Sequence, residues 1–335
     1  MKKKLLAILQ SLLAIILIAG VFYYLKSHGE LANLWKALLS VKHHPVLFLI
    51  AILCFGVCLM LCAVRWNILL KNAGFSFPFS HIVCLQLIGH FFNVFIFGAT
   101  GGDVVKAFYL AVETSERKSA AVTTVFVDRI IGMICLSALA TVMMLSRYHF
   151  FMSHPKSVVL LFINVVFFAG IVVAILLLLA SERIKETVFF QRLLERSTVS
   201  RVMESVRQVF YISITSPAII LQTFMLSLLN HVLLVVCIFA LTRALQMNMS
   251  FFDVLTIFPA LNMISALPVT PQGLGVRESS NAIILGIYNV GEAHAVSLGF
   301  LTSGVMLIWN FIGGLVYLLW SLKWCYMRND GKTNQ

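Results

Sequence analysis

The chain has 335 residues, of which 60% are hydrophobic and only 11% charged, against roughly 45–50% and 25% in soluble globular proteins. A globule of this size could not hide so much apolar surface, so a water-soluble fold, a disordered chain and a collagen-like repeat are excluded, and a multi-spanning membrane protein remains. The excess of 25 Lys+Arg over 13 Asp+Glu fits the basic cytoplasmic loops of such proteins, and no nucleic-acid partner is expected.

In chain order, Leu5–Leu25 is the first long apolar run and follows Lys2, Lys3 and Lys4. It is longer than the apolar core of a signal peptide and no small-x-small cleavage site follows, so it reads as an uncleaved first span with a cytoplasmic N-terminus. Pro45–Trp66 is the second span. Its Cys54, Cys58 and Cys62 repeat at four-residue spacing, a helix stripe of small packing residues with neither a disulfide framework nor a zinc knuckle implied. Arg65-Trp66 at its end reads as interfacial snorkelling and anchoring.

The stretch 80–112 is apolar but interrupted by Gly98-Ala99-Thr100-Gly101-Gly102-Asp103. Its flanking pieces are short for separate spans, so it reads as a re-entrant hairpin, with two short spans as the alternative. Gly101 and Gly102 allow the turn, Asp103 stands where an N-cap would open the next half-helix, and Lys106 follows one turn later. Ser119–Ser146 is a full span carrying Asp128-Arg129 about ten residues in, and Val158–Ala180 is another. The polar segment 181–216 holds two apolar stripes at helical spacing among mixed charges, which predicts two amphipathic helices on the anionic inner leaflet.

Pro217–Leu241 and about Ala293–Leu322 are the last two full spans. Between them 251–290 is interrupted by Pro268-Val269-Thr270-Pro271-Gln272-Gly273-Leu274-Gly275 and reads as a second hairpin. There Pro268 and Pro271 stop the incoming helix, Gly273 and Gly275 let backbone approach a ligand, and Arg277-Glu278 begins the outgoing half-helix. Asn93 and Asn262 precede the two breaks and are candidate hydrogen-bond partners for freed backbone. The predicted fold is therefore an all-α polytopic membrane protein with six full spans and two hairpins, or about eight spans. Its divisions are 1–44 (first span and outer amphipathic segment), 45–180, 181–216 (cytoplasmic helices), 217–325 and a 326–335 tail.

In this layout the inside segments hold 16 basic residues and the outside segments 6, which puts both termini in the cytoplasm of a cell whose inner membrane holds the chain. The order span, hairpin, span occurs twice with opposite orientation, an arrangement that recurs as inverted repeats in secondary transporters; chance pairing of segments is the alternative. Ionisable groups at membrane depth are costly and normally face a partner or a wet cavity. Two half-helix amino ends, with Lys106, Arg129 and Arg277, suit an anionic head group. Asp103, Asp128 and Glu278 would then hold the cations in place or carry protons. Internal neutralisation of the same charges is the competing account. No nucleophile site or nucleotide loop is visible, His90 and His231 lack metal spacing and read as packing residues, and no catalytic residue, cofactor or metal is expected.

Three ordered motifs carry a resemblance: Gly98-x-x-Gly101-Gly102-Asp103-x-x-Lys106-x-x-Tyr109, Asp128-Arg129-x-x-Gly132, and Leu267-Pro268-x-x-Pro271-x-Gly273-x-Gly275-x-Arg277-Glu278. Together they resemble the signature blocks of the lysylphosphatidylglycerol synthase transmembrane region family, over nearly the whole chain, and Arg65-Trp66 also resembles that pattern. In two-part members the membrane half is implicated in moving aminoacylated phosphatidylglycerol between leaflets, while a separate cytosolic domain attaches the amino acid. The present chain ends about a dozen residues after its last span, so the resemblance implies the translocation half. Lys106 stands where the family often has Arg, and Val269-Thr270 and Gln272 replace residues more often Ile-Ser and Gly. The expected function is flippase-like movement of an anionic phospholipid, an aminoacyl-lipid or a polyprenyl-phosphate-linked head group. A membrane-embedded transferase, or an accessory partner of a lipid-modifying enzyme, is the alternative. Membrane lipids are the expected partners.

Overall fold

A computed structural model describes residues 44–95, 101–114, 117–179, 216–265, 272–273 and 275–330, with isolated positions between 27 and 42. The expected first span Leu5–Leu25, the amphipathic helices of 181–216 (apart from Ser216), and Pro268 and Pro271 lie outside the described residues. The helices are α1 Pro45–Asn72, α2 Phe79–Phe92, α3 Gly101–Glu113, α4 Lys118–Ser146 and α5 Tyr148–Met152, then α6 Pro155–Leu179, α7 Pro217–Ala244, α8 Phe251–Ser265, α9 Val276–Leu285 and α10 Glu292–Asp330. A 3-10 turn, Gly286–Tyr288, follows α9, and no strand occurs among the described residues.

Helices α1, α4, α6, α7 and α10 each contain an apolar stretch long enough to cross a membrane. Pro45 and Pro217 open α1 and α7, where a missing N–H costs nothing and the fixed φ suits the first turn. Their outward faces are apolar, as lipid requires: Val159, Phe162 and Val166 on α6 and Leu221 and Leu229 on α7 are exposed. By contrast α2 has 14 residues, α3 13, α8 15 and α9 10. At 1.5 Å per residue these are about 15–22 Å long, short of the ~30 Å hydrocarbon thickness.

Each pair of short helices leaves by the end at which it came in. His81 Nε2 and Glu113 Oε2 are 2.9 Å apart, which joins the start of α2 to the end of α3. At the other pair Arg147 bonds Asp253 at the start of α8 and lies 5.9 Å from the Tyr288 ring just past α9. The first mouth adjoins Trp320, late in α10, with His81 6.0 Å and Tyr109 4.7 Å from it. The second mouth adjoins Arg147, at the far end of α4. The two hairpins therefore open at opposite ends of the bundle.

Helices α1 and α7 form the central pair and run antiparallel. Arg65 meets Ser227 at 2.7 Å, Cys58 meets the Asn230 carbonyl at 3.5 Å and His44 meets Gln246 at 3.3 Å, so numbers fall on α7 as they rise on α1. Pairing α1 with α7, α2 with α8, α3 with α9 and α4 with α10 maps every major packing within this set onto another. In particular α2 packs on α10 while its counterpart α8 packs on α4, so each hairpin docks on the closing helix of the other half. Glycines allow these approaches: a side chain at Gly313 would strike the Leu87 carbonyl, and one at Gly299 would come within 2.9 Å of Glu278 Cγ. Between α1 and α10, Gly56 accommodates the Trp309 ring.

Candidate functional site

The charges of the interior fall into three groups. The first forms where α3 turns back beneath α2. Gly102 abuts Gly89 so closely that any Cβ would collide with its carbonyl oxygen, and the Gly102 N–H donates to Asn93 Oδ1 at 2.7 Å. Helix α3 starts at Gly101, so Asp103 lies inside the first turn and is not its cap, because the two glycines already adopt helical geometry. Lys106 Nζ is 2.8 Å from Asp103 Oδ1 and donates to Gln86 Oε1 at 3.2 Å, with the Trp66 ring 5.0 Å away. Arg129 Nη1 reaches Asp103 Oδ2 at 3.6 Å. One carboxylate thus faces two cations. The Arg129 side chain is 33% exposed, so it can meet a ligand.

The second group is at the start of α9. Gly273 and Gly275 have φ of +74° and +80°, a backbone region that favours glycine. Gly273 turns back against Ser265, whose carbonyl oxygen would be 2.5 Å from an added Cβ. Glu278 reaches back to cap its own helix, with Oε2 accepting from the Gly275 N–H at 2.6 Å and Oε1 from Ser303 Oγ at 3.0 Å. The positive end of α9 therefore already faces a carboxylate. Arg277 is 7% exposed. Its Nη1 donates to Ser303 Oγ at 2.8 Å and its Nη2 to the Gln272 carbonyl at 3.1 Å. Its Nε has no hydrogen-bond partner among the described residues, and no carboxylate oxygen there lies within ion-pair distance of the guanidinium. Asn310 Nδ2 donates to Gln272 Oε1 at 2.8 Å. Asn262 is half-buried on α8; the contact with Gly273 comes from Ser265 instead.

The third group corrects the reading of Arg65 as a snorkelling residue. Helix α1 runs on through Leu69 and Leu70 to Asn72, so Arg65 is inside the bundle and 6% exposed. Its Nε and Nη2 grip Asp128 Oδ1 and Oδ2 at 2.7 and 3.0 Å, and Nη1 donates to Ser227 Oγ at 2.7 Å. Trp66 is wholly buried and donates to Thr124 Oγ1 at 3.2 Å. Asp128 is therefore held by Arg65, on a different face of α4 from Arg129. This bidentate pair locks α1, α4 and α7 together.

The structure thus brings Gly101, Gly102, Asp103, Lys106, Arg129 and Asn93 together, and separately Gly273, Gly275, Arg277 and Glu278. Helix α10 touches both neighbourhoods, since Ser303 and Asn310 serve the second group while Gly313 abuts α2, which carries Gln86 and is followed by Asn93. Sequence reasoning missed Ser227, Ser303 and Asn310, polar residues whose only signal was their position in apolar spans. His90 and His231 are packed as expected, His90 with its ring 5.4 Å from Phe55 and His231 bonding the Gly132 carbonyl at 3.0 Å.

Two comparisons bear on this arrangement. The family described as lysylphosphatidylglycerol synthase TM region matches residues 11–327, which includes all three charge groups. A UPF0104 membrane protein of Pyrococcus horikoshii is 32% identical over 155 residues, 46% of this chain and 44% of that relative. The match thus covers less than half of either protein.

Proposed function

The chain belongs to the lysylphosphatidylglycerol synthase TM region family, and from this premise we propose that it moves a lipid with an anionic head group between the leaflets of the membrane. The observation that carries the proposal is the pair of hairpins opening at opposite ends of the bundle, each bearing one buried cation, Lys106 or Arg277, at its inner end. Among the described residues Arg277 has no carboxylate within ion-pair distance and meets Glu278 only through Ser303, whereas Lys106 shares Asp103 with Arg129 of α4. A desolvated guanidinium with a vacant N–H is a strong donor to a phosphate oxygen. The acyl chains stay in the bilayer while the polar part passes between groups, and the matched packing of the two halves supports a rocking exchange between two related states. On this reading Asp103 holds Lys106 and Arg129 and exchanges with the substrate anion, Glu278 caps α9, and Asp128 is structural. The excess of basic residues in the loops assigned inside supports an inner-membrane protein with cytoplasmic termini.

Transfer of a fluorescent anionic phospholipid in proteoliposomes tests the proposal, with dithionite quenching reporting the outer leaflet. Arg277→Ala and Asp103→Ala should abolish transfer while keeping the parent's elution profile. Parent-like rates in both well-folded variants would refute the assignment. A change in lipid mass on adding a donor would instead identify a transferase.

A further inference from the structure

Buried polar atoms normally find a partner. Among the described residues twelve side-chain atoms have none, and five of the twelve lie within residues 272–310: Gln272 Nε2, Arg277 Nε, Asn281 Oδ1, Tyr288 Oη and Asn310 Oδ1. They are also in line. Asn281 follows Arg277 by one turn of α9, and Tyr288 ends the 3-10 turn that extends the helix, so all three side chains leave the axis within about a quarter turn of one another. From Arg277 to Tyr288 the rise is about 18 Å, more than half of the ~30 Å hydrocarbon thickness. Helix α10 forms the facing wall. Asn281 Nδ2 reaches the Ala295 carbonyl at 3.5 Å, Arg277 Nη1 donates to Ser303 Oγ at 2.8 Å, and Asn310 Nδ2 donates to Gln272 Oε1 at 2.8 Å. The stripe begins at the second mouth, where the Tyr288 ring lies 5.9 Å from Arg147, and it ends on Arg277 and Glu278.

The chemistry of the stripe alternates. Arg277 Nε and Gln272 Nε2 donate, Asn281 Oδ1 and Asn310 Oδ1 accept, and Tyr288 Oη does both. An ion of either sign would meet groups of the wrong polarity along much of this path. Water donates and accepts equally, and a buried water is held by two to four such groups. The first hairpin has no counterpart. Between Lys106 and Glu113 the buried side of α3 carries Ala107, Tyr109 and Leu110, with Leu110 wholly buried and Tyr109 against the Trp320 ring at 4.7 Å. We propose that a file of about six waters at hydrogen-bond spacing runs between α9 and α10, from the second mouth to Arg277 and Glu278. The interior charges then exchange with solvent through the second mouth and not through the first. A buried guanidinium and carboxylate joined by water to one face, with the other face sealed, have the single-sided access that an exchanging carrier requires. The water file stands on its own geometry and does not need the lipid-translocation reading.

Single cysteines in a cysteine-free, full-length protein test it in sealed vesicles. Silver ion added to one face modifies thiols that water reaches, because the thiolate is the reactive form and forms only in water. The thiols left free are then counted with a maleimide after denaturation. Asn281→Cys should react about tenfold or more faster than two controls, Ile283→Cys on the outer face of α9, where Ile283 is 54% exposed to lipid, and Leu110→Cys in the sealed route of the first hairpin. The reaction should occur with silver at the face of the second mouth and not with silver at the opposite face. Asn310→Cys, on the facing wall, should give the same reading and serves if Asn281→Cys does not fold. Reaction of both positions no faster than the controls would overturn the water file, and so would equal reaction from the two faces. Either of those results would leave the lipid-transfer assay, and the reading it tests, unaffected.

Discussion

Replacing Arg65 by Met should cost the folded protein about 3–5 kcal/mol, the usual consequence of stranding one member of a buried ion pair. The structure accounts for that size. The guanidinium makes two bonds to Asp128, at 2.7 and 3.0 Å, and one to Ser227 at 2.7 Å, and hydrogen bonds to charged groups contribute about 1.5–3 kcal/mol each. Asp128 is 6% exposed, so without Arg65 its carboxylate is left buried without a counter-ion. Replacing both residues, Arg65→Met with Asp128→Leu, removes the stranded charge and should recover most of the loss, because an apolar pair of similar volume often replaces a buried ion pair at little cost. Reversible unfolding in mixed micelles supplies the free energies for a double-mutant cycle, whose coupling should exceed about 2 kcal/mol. Single variants within about 0.5 kcal/mol of the parent, the usual range for surface substitutions, would refute the interior placement of Arg65. Strict additivity would refute the pair.

Gly102→Ala should prevent the first hairpin from closing, since the added methyl collides with the Gly89 carbonyl and lies 2.8 Å from Asn93 Oδ1; the readout is loss of the monodisperse peak on size exclusion in detergent. Gly275→Ala has open space around the methyl but a φ of +80°, so it should fold with a penalty of only about 1–2 kcal/mol, and a loss as complete as that of Gly102→Ala would contradict the geometry. At the second mouth partial burial would raise the Asp253 carboxyl, but hydrogen bonds from Ser250 and Arg147 outweigh it and hold the group below the ordinary carboxylate range. Its stabilising contribution is therefore complete above the unfolded value of about 3.9 and disappears as pH falls through the depressed folded value. Thermal unfolding of the parent should weaken below about pH 4, and Asp253→Asn should flatten that acid limb; an identical acid limb in the variant would show that the contact contributes nothing.

Much of this architecture is legible in the sequence because lipid imposes simple rules. A spanning helix needs length and an apolar surface, and the runs beginning at Pro45, Ser119 and Pro217 supply both, so their observed helices start within a residue of the expected positions. The breaks are legible for the same reason, because the pieces beside Gly101-Gly102 and Gly273-x-Gly275 are too short to cross, although Gly101-Gly102 opens α3 and does not interrupt it. Partner choice is not legible. Asp128 and Arg129 are adjacent in sequence, yet successive helix residues point about 100° apart, and that rotation sends Asp128 to Arg65 and Arg129 to Asp103. Arg65 was misplaced because Trp66 resembles an interfacial anchor, while the continuation through Leu69 and Leu70 that takes it inside is weak in isolation. Ser303 and Asn310 were invisible because a polar residue in an apolar helix declares a buried role without naming its partner.

The central structural claim is that the two hairpins open to opposite faces of the membrane, and cysteine labelling in sealed vesicles tests it most directly. Phe79 and Phe252, at the two mouths, are 45% and 66% exposed, so each accepts a cysteine in an otherwise cysteine-free protein. A membrane-impermeant maleimide should label Phe79→Cys only from one face and Phe252→Cys only from the other, with the pattern reversing in inverted vesicles. Labelling of both positions from the same face would contradict the account.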